Sequence, residues 1–247
     1  FTRFLDEKEA AKKMPVLQNI SLVHKKANAE NLNRICSCVK YTHYARDLVN
    51  LPLNHLNATK LSSMLEDTSS LLGIKATVFN EKKIESLKMG GLLAVNKGSL
   101  DPPTFTILEW KPEDAVNDDP VVLTGKGVTF DTGGMNLKPG NYMNGMKSDM
   151  GCAALVSATP FALAESKVPL YTIALIPATD NRVDGNAHVP GDVITMHDGT
   201  TVEILNTDAE GRLILADALS YAKRYSPQLV INAATLTGSA LRAIGDL

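Results

Sequence analysis

The sequence has no apolar run near the roughly 20 residues that a helix needs to cross a bilayer, so no membrane partner is expected. Cysteine is scarce. Cys36, Cys38 and Cys152 cannot all pair with one another. An odd count in a long chain fits a reducing compartment better than a disulfide scaffold, and a cytoplasmic location is expected. Neither sign of charge is in excess: 25 Lys plus Arg against 27 Asp plus Glu leave a formal net charge of −2. Nucleic acid is therefore not an expected partner, and there is no acidic tail. The chain does not open with a basic stretch, an apolar core and a small-residue cleavage site, so no signal peptide is recognisable. The five histidines (His24, His43, His55, His188 and His197) are scattered and His-Glu-x-x-His is absent, which argues against a histidine-built zinc site.

What remains is an ordinary globular composition, 44% apolar and 21% charged over 247 residues. That is enough for one large domain or two modest ones. Apolar spacing predicts helices over 29–49 and 58–72, the first stopped before Pro52 and the second capped by Asn57 or Thr59. Alternation then predicts strand 74–79, helix 81–88, strand 104–110 and a short buried strand 121–124. Helix 151–165 should be kinked or shortened by Pro160. Strand 170–176 and a hairpin of 193–196 with 201–205 around Asp198-Gly199 follow. Helix 213–225, stopped by Pro227, and a final buried strand 229–234 complete the pattern. Ile20-Ser21-Leu22-Val23 could form one more strand, and Gly90-Gly91 reads as a tight turn. Strands alternating with helices predict an α/β fold, a three-layer sandwich with a mixed, mostly buried sheet and helices on both faces.

Two segments break this packing pattern, and both leave a predicted strand, where open α/β sheets build ligand sites. One runs from Gly125-Lys126-Gly127 through Asp131-Thr132-Gly133-Gly134 to Lys138 and on to Asp149. The other is Asn206-Thr207-Asp208-Ala209-Glu210-Gly211-Arg212-Leu213. Asp131, Asp149, Asp208 and Glu210 brought together would repel one another and take up protons unless cations sat among them. One or two divalent metals would resolve that, and oxygen ligands alone do not choose among Mg²⁺, Mn²⁺ and Zn²⁺. The plain alternative is solvated surface charge on glycine-rich loops, or a helix start with acids at its positive end. Cys36 and Cys38 point about 200° apart on a helix, so they are not expected to share a metal. Asn57-Ala58-Thr59 fits a glycosylation acceptor, which matters only in a secreted protein.

At these residues the sequence resembles the leucyl aminopeptidase (cytosol aminopeptidase) family of dinuclear metallopeptidases. The octapeptide Asn206–Leu213 looks like that family's signature in full. Lys126–Gly134, Lys138-Pro139, Met146–Gly151, Asp180–Asp192 and Asn232–Gly238 are similar to further family segments. The resemblance implies a two-metal aminopeptidase that acts on peptides with a free N-terminus. It implies Lys126, Asp131, Asp149, Asp208 and Glu210 as ligands of two Zn or Mn ions. By the same resemblance, Lys138 polarises the substrate carbonyl, and Arg212 holds a bicarbonate that acts as general base toward the attacking water. Met146, Thr235, Leu236 and Gly238 match the pocket for the N-terminal side chain. Cys152 stands where the family often has glycine.

The resemblance also implies a homo-hexamer. It makes residues 1–27 a remnant of an N-terminal domain, 28–52 a linking helix, and 53–247 the N-terminal part of a catalytic domain that continues past Leu247. On that expectation the chain is a fragment. An inactive truncated or regulatory binding module is one alternative. Another dinuclear hydrolase, such as a phosphoesterase, is a second, though such sites usually add histidines and rarely use a lysine ligand.

Overall fold

The computed structural model describes residues 4–13, 19–21, 23–25 and 28–245. Its first three helices start where short polar side chains cap them. Asp6 caps α1 (Glu7–Lys12), Asn28 caps α2 (Ala29–Asn50) and Asn57 caps α3 (Ala58–Leu72), each accepting from the backbone N–H three residues on. The Asn57 amide also donates to Asp101, so this side chain is structural, and of the two candidate caps it is the one used. Leu22 of the expected strand 20–23 lies outside the described residues; Ile20, Ser21 and Val23 are in no regular element.

The chain then alternates through β1 (Lys75–Phe79), α4 (Glu81–Ser86), α5 (Gly90–Asn96), β2 (Thr104–Trp110), β3 (Val121–Gly125) and β4 (Gly127–Asp131). It continues through α6 (Gly151–Glu165), β5 (Thr172–Asn181), the hairpin β6 (Val193–Thr195) with β7 (Thr201–Glu203), α7 (Glu210–Ala222), β8 (Leu229–Ala233) and α8 (Ser239–Ile244). The large sheet runs β1-β2-β5-β3-β8, and β4 pairs with the far end of β5. β2 pairs antiparallel with both β1 and β5, whereas β3, β4 and β8 enter in parallel pairs.

All ten residues of β5 are buried, and their alternation splits the core in two. Ala174, Ile176 and Ala178 face a layer with Leu48, Leu61, Leu65 and Phe161 from α2, α3 and α6. Ile173 and Leu175 face Leu92, Val95, Ile214, Ala218 and Tyr221 from α5 and α7. Period-two alternation on a central strand therefore produces the three layers.

Six elements depart from the sequence expectation. Helix α6 runs through Pro160 for 15 residues and is not shortened. Gly90-Gly91 opens α5 rather than a tight turn. β4 forms where a loop was expected, and β5 extends to Asn181. Helix α7 starts at Glu210, three residues early. Finally, β8 is an edge strand: Leu229, Val230 and Ile231 are 51%, 38% and 48% exposed, not buried. Its apolar composition predicts a covered strand, but β3 is its one partner in the sheet.

Asp217 and His188 are buried polar residues away from the sheet's strands. The Asp217 carboxylate accepts from the Leu92 and His197 backbone N–H groups, tying α7 to α5 and to the hairpin loop. His188 is fully buried between β5 and β6. Burial pulls its pKa below the usual imidazole value, Asp192 and the Ala94 backbone oppose that, and Lys97 adds to it. The unfolded chain thus takes up a proton near pH 6.5 that the folded chain resists, so stability falls as pH drops below about 6.5. The urea midpoint measured relative to that of His188→Gln is expected to fall between about pH 7.5 and about pH 5.5, and an unchanged difference would refute this assignment.

Candidate metal centre

β3 and β4 run along the same neighbour, β5, with Lys126 at the break between them. At that break Lys126 donates its backbone N–H to Ala233 and accepts from the N–H of Ala153 in α6. Its side chain is 3% exposed. Nζ lies 2.7 Å from Asp149 Oδ2 and 2.7 Å from Glu210 Oε1, and donates to the Thr235 carbonyl at 3.1 Å. Asp149 comes from a 3₁₀ turn, Met146–Met150, that leads into α6. Glu210 is the first residue of α7, where the helix dipole favours a carboxylate.

A second lysine repeats the arrangement. Lys138 Nζ lies 2.7 Å from Asp131 Oδ2 and 2.7 Å from Asp208 Oδ1. The backbone turns back after β4 through Gly133, at φ +87°, which lets the Lys138 N–H reach the Thr132 carbonyl. A side chain at Gly133 would strike the Asn136 carbonyl, 2.5 Å from the Cβ position. Asn206 accepts from the N–H of Asp208 and so shapes the other loop.

The two loops are stitched together by Thr207. Its hydroxyl donates to the Gly133 carbonyl at 2.6 Å, and its N–H donates to Asn136 Oδ1 at 2.7 Å. The Asn136 N–H donates back to Thr207 Oγ1 at 2.8 Å. Asn181, at the end of β5, donates to both Asp131 Oδ1 and the Thr207 carbonyl. Thr207, Asn136 and Asn181 carried no role in the sequence reading. Each lies inside or beside a family-like segment, but only tertiary contact shows what it does.

The electrostatics are those of a site short of positive charge. Burial pushes the Asp149 carboxyl up to about 7, against the pull of Lys126. Burial raises Asp208 too, with Lys138 opposing and Asp131 adding to it. Burial pulls the Lys126 ammonium down, but Glu210 and Asp149 outweigh it and the net shift is upward. Lys138 is likewise raised, its burial outweighed by Asp131 and Asp208. Four carboxylates share two lysines, and Glu210 Oε2 is buried with no hydrogen-bond partner. Oxygens of Asp131, Asp208 and Glu210 lie within 4.8 Å of one another. That donor set, hard oxygens with an amine nearby, fits divalent cations such as Mn²⁺ or Zn²⁺.

The other expected site residues are placed less tightly. Thr235 Oγ1 donates to Asp149 Oδ1 at 2.7 Å and so joins the cluster. Met146 is half-buried at the start of the 3₁₀ turn, whereas Leu236 and Gly238 follow Thr235 on an exposed segment. Arg212 is exposed on the first turn of α7. Cys152 is free and half-buried, with burial pushing its thiol up. Cys36 and Cys38 are both exposed.

Residues 43–247 match the model of the cytosol aminopeptidase family, catalytic domain. A probable cytosol aminopeptidase of Chlorobaculum parvum is 55% identical over 202 residues, 81% of this chain and 40% of that protein. One of Nitrosomonas eutropha is 50% identical over 202 residues, again 40% of its length. The chain thus spans about two fifths of these curated relatives. Among solved structures, the bottromycin maturation enzyme BotP in complex with Mn is 39% identical with a TM-score of 0.82. The alignment covers 89% of this chain and 48% of that one.

Proposed function

The chain belongs to the cytosol aminopeptidase family, and on that premise we propose that the whole protein is a two-metal aminopeptidase removing N-terminal residues from peptides. The observation that carries the reading is the convergence of Lys126, Asp131, Asp149, Asp208 and Glu210 on one cluster, buried except at Asp208. These five residues would hold two divalent cations, Zn or Mn; the Mn complex of the similar enzyme BotP supports manganese. When bound, the pair supplies a polarised carbonyl and a water acidic enough to attack near neutral pH.

The chain's own residues do the rest. Lys138, tethered between Asp131 and Asp208, carries a positive charge toward a developing oxyanion. Lys126 becomes a ligand by giving up its proton. Arg212 presents a planar fork suited to bicarbonate as general base. Met146, Thr235, Leu236 and Gly238 line the pocket for the N-terminal side chain. Residues 1–27 and 28–52 serve as the end of an N-terminal domain and a linking helix, and 53–247 as part of the catalytic domain. The assembly is a homo-hexamer in the cytoplasm. Relatives carry cytosol in their names, and among the described residues no helix is long and apolar enough to cross a membrane.

With Mn²⁺ or Zn²⁺ the whole protein is expected to hydrolyse leucyl amide. Chelation should abolish turnover, and acetylating the substrate's amine should block it. Bound metal without hydrolysis of any free-amine substrate would sink the assignment.

A further inference from the structure

We propose that Asn181 is a positioning residue that fixes which oxygen of Asp131 a divalent cation meets. The inference rests on the two-metal reading and adds a residue outside the carboxylate and lysine set. Asn181 ends β5, opposite Asp131 in the strand register, and has no exposed surface. Its backbone carbonyl accepts from both the N–H and the hydroxyl of Thr132, so the strand end is pinned before the side chain acts.

The side chain makes two donations from one nitrogen. Nδ2 donates to Asp131 Oδ1 at 2.9 Å and to the Thr207 carbonyl at 3.0 Å. The Gly133 N–H donates to the same Asp131 oxygen at 2.8 Å. Two donors use the capacity of Oδ1, and Oδ2 is left as the oxygen that faces Lys138. Asp131 therefore offers one oxygen in a fixed direction. The second donation holds the peptide just before Asp208, so a single amide aligns ligands from both loops.

The orientation of the amide is determined by its surroundings. Flipping it would set its oxygen against two acceptors, Asp131 Oδ1 and the Thr207 carbonyl. In the observed orientation Asn181 Oδ1 is buried with no hydrogen-bond partner. An amide retained for stability alone would be expected to satisfy both ends. Asn181 instead leaves its own acceptor orphaned while supplying both donors to the site.

The test is a Mn²⁺ titration of the whole protein followed by electron paramagnetic resonance, with folding checked by circular dichroism. Asn181→Leu keeps the shape and removes the donor. Asn181→Ser is the second variant, and it carries the test if the first does not fold. Both are expected to bind Mn²⁺ on the order of 10- to 100-fold more weakly and to alter the bound-ion spectrum. Ser62→Ala is the control, because it removes a comparably buried hydrogen-bonding group in α3, bonded to Thr104 and Thr106. It should leave Mn²⁺ affinity within about threefold of wild type. Folded Asn181 variants with wild-type affinity and spectrum would overturn the proposal, and so would an equal loss in Ser62→Ala. If the wild-type whole protein takes up no Mn²⁺, the two-metal reading fails first and this inference falls with it.

Discussion

Lys126→Met is expected to lower the unfolding free energy of the metal-free chain by about 3–5 kcal/mol, the range for removing one partner of a buried ion pair. Methionine matches the aliphatic stem, so little of that loss comes from an empty cavity. The loss arises because Asp149 and Glu210, at 7% and 2% side-chain exposure, must then either hold buried charge without a cation or take up a proton. It should also depend on pH. The folded pKa of Asp149 is already raised above its unfolded value, by burial first. Removing Lys126 takes away the main opposing pull and raises it further. A carboxyl with a raised folded pKa supports the fold below its unfolded pKa and loses that support as pH rises through the folded one. The deficit of Lys126→Met should therefore be largest above pH 7 and smaller near about pH 5. Urea titrations in chelator at both pH values would show this, and an unchanged midpoint would mean that Lys126 is not the cluster's counter-charge. The exposed pair Arg34–Glu30 is a useful contrast, with side chains 51% and 73% exposed. Arg34→Met should change stability by less than about 1 kcal/mol. In the whole protein, Lys126→Met should also abolish leucyl amide hydrolysis.

Most of the fold was legible where the signals are local. The cap at Asn57, the Asp198-Gly199 turn and the apolar spacing of α2 and α3 act within a few residues of chain. The misreadings at Gly90-Gly91 and β8 turn on tertiary contact. Gly90-Gly91 reads as a turn in one dimension. In three, a Cβ on Gly90 would run into the Thr195 carbonyl and one on Gly91 would come within 2.5 Å of the Leu213 carbonyl. These glycines are needed for close packing inside a helix. β8 was expected to be buried because composition reports what a strand is suited to face, not what covers it. The candidate site divides the same way. Its charged residues stand out as motifs. The pairing of Lys126 with Asp149 and Glu210, and of Lys138 with Asp208, joins residues far apart in sequence. So does the clasp of Asn136, Thr207 and Asn181.

Gly211→Ala sets local preference against that long-range geometry, and the sign of its effect is the test. Gly211 is the second residue of α7, and alanine in a helix interior is favoured over glycine by about 1 kcal/mol. Local preference alone would make the variant more stable. However, a Cβ at this position would sit 2.7 Å from Lys126 Cε, 2.8 Å from Cδ and 3.0 Å from Nζ. A lysine tail can usually swing aside at little cost. This one is buried and held by Asp149, Glu210 and the Thr235 carbonyl. Moving it lengthens charge-assisted contacts in a site where each is worth more than the propensity gain. Gly211→Ala should therefore lower the urea midpoint. It should also weaken divalent-cation binding on the order of tenfold, the scale of a displaced ligand support. The same substitution in a Lys126→Ala background meets no tail, so there it should raise the midpoint, with a gain in unfolding free energy of up to about 1 kcal/mol. This reversal can be read from four unfolding curves, and only direct contact between Gly211 and Lys126 produces it. A midpoint that rises in both backgrounds would show that the lysine is free to move. The glycine of the octapeptide would then have no part in holding the site together.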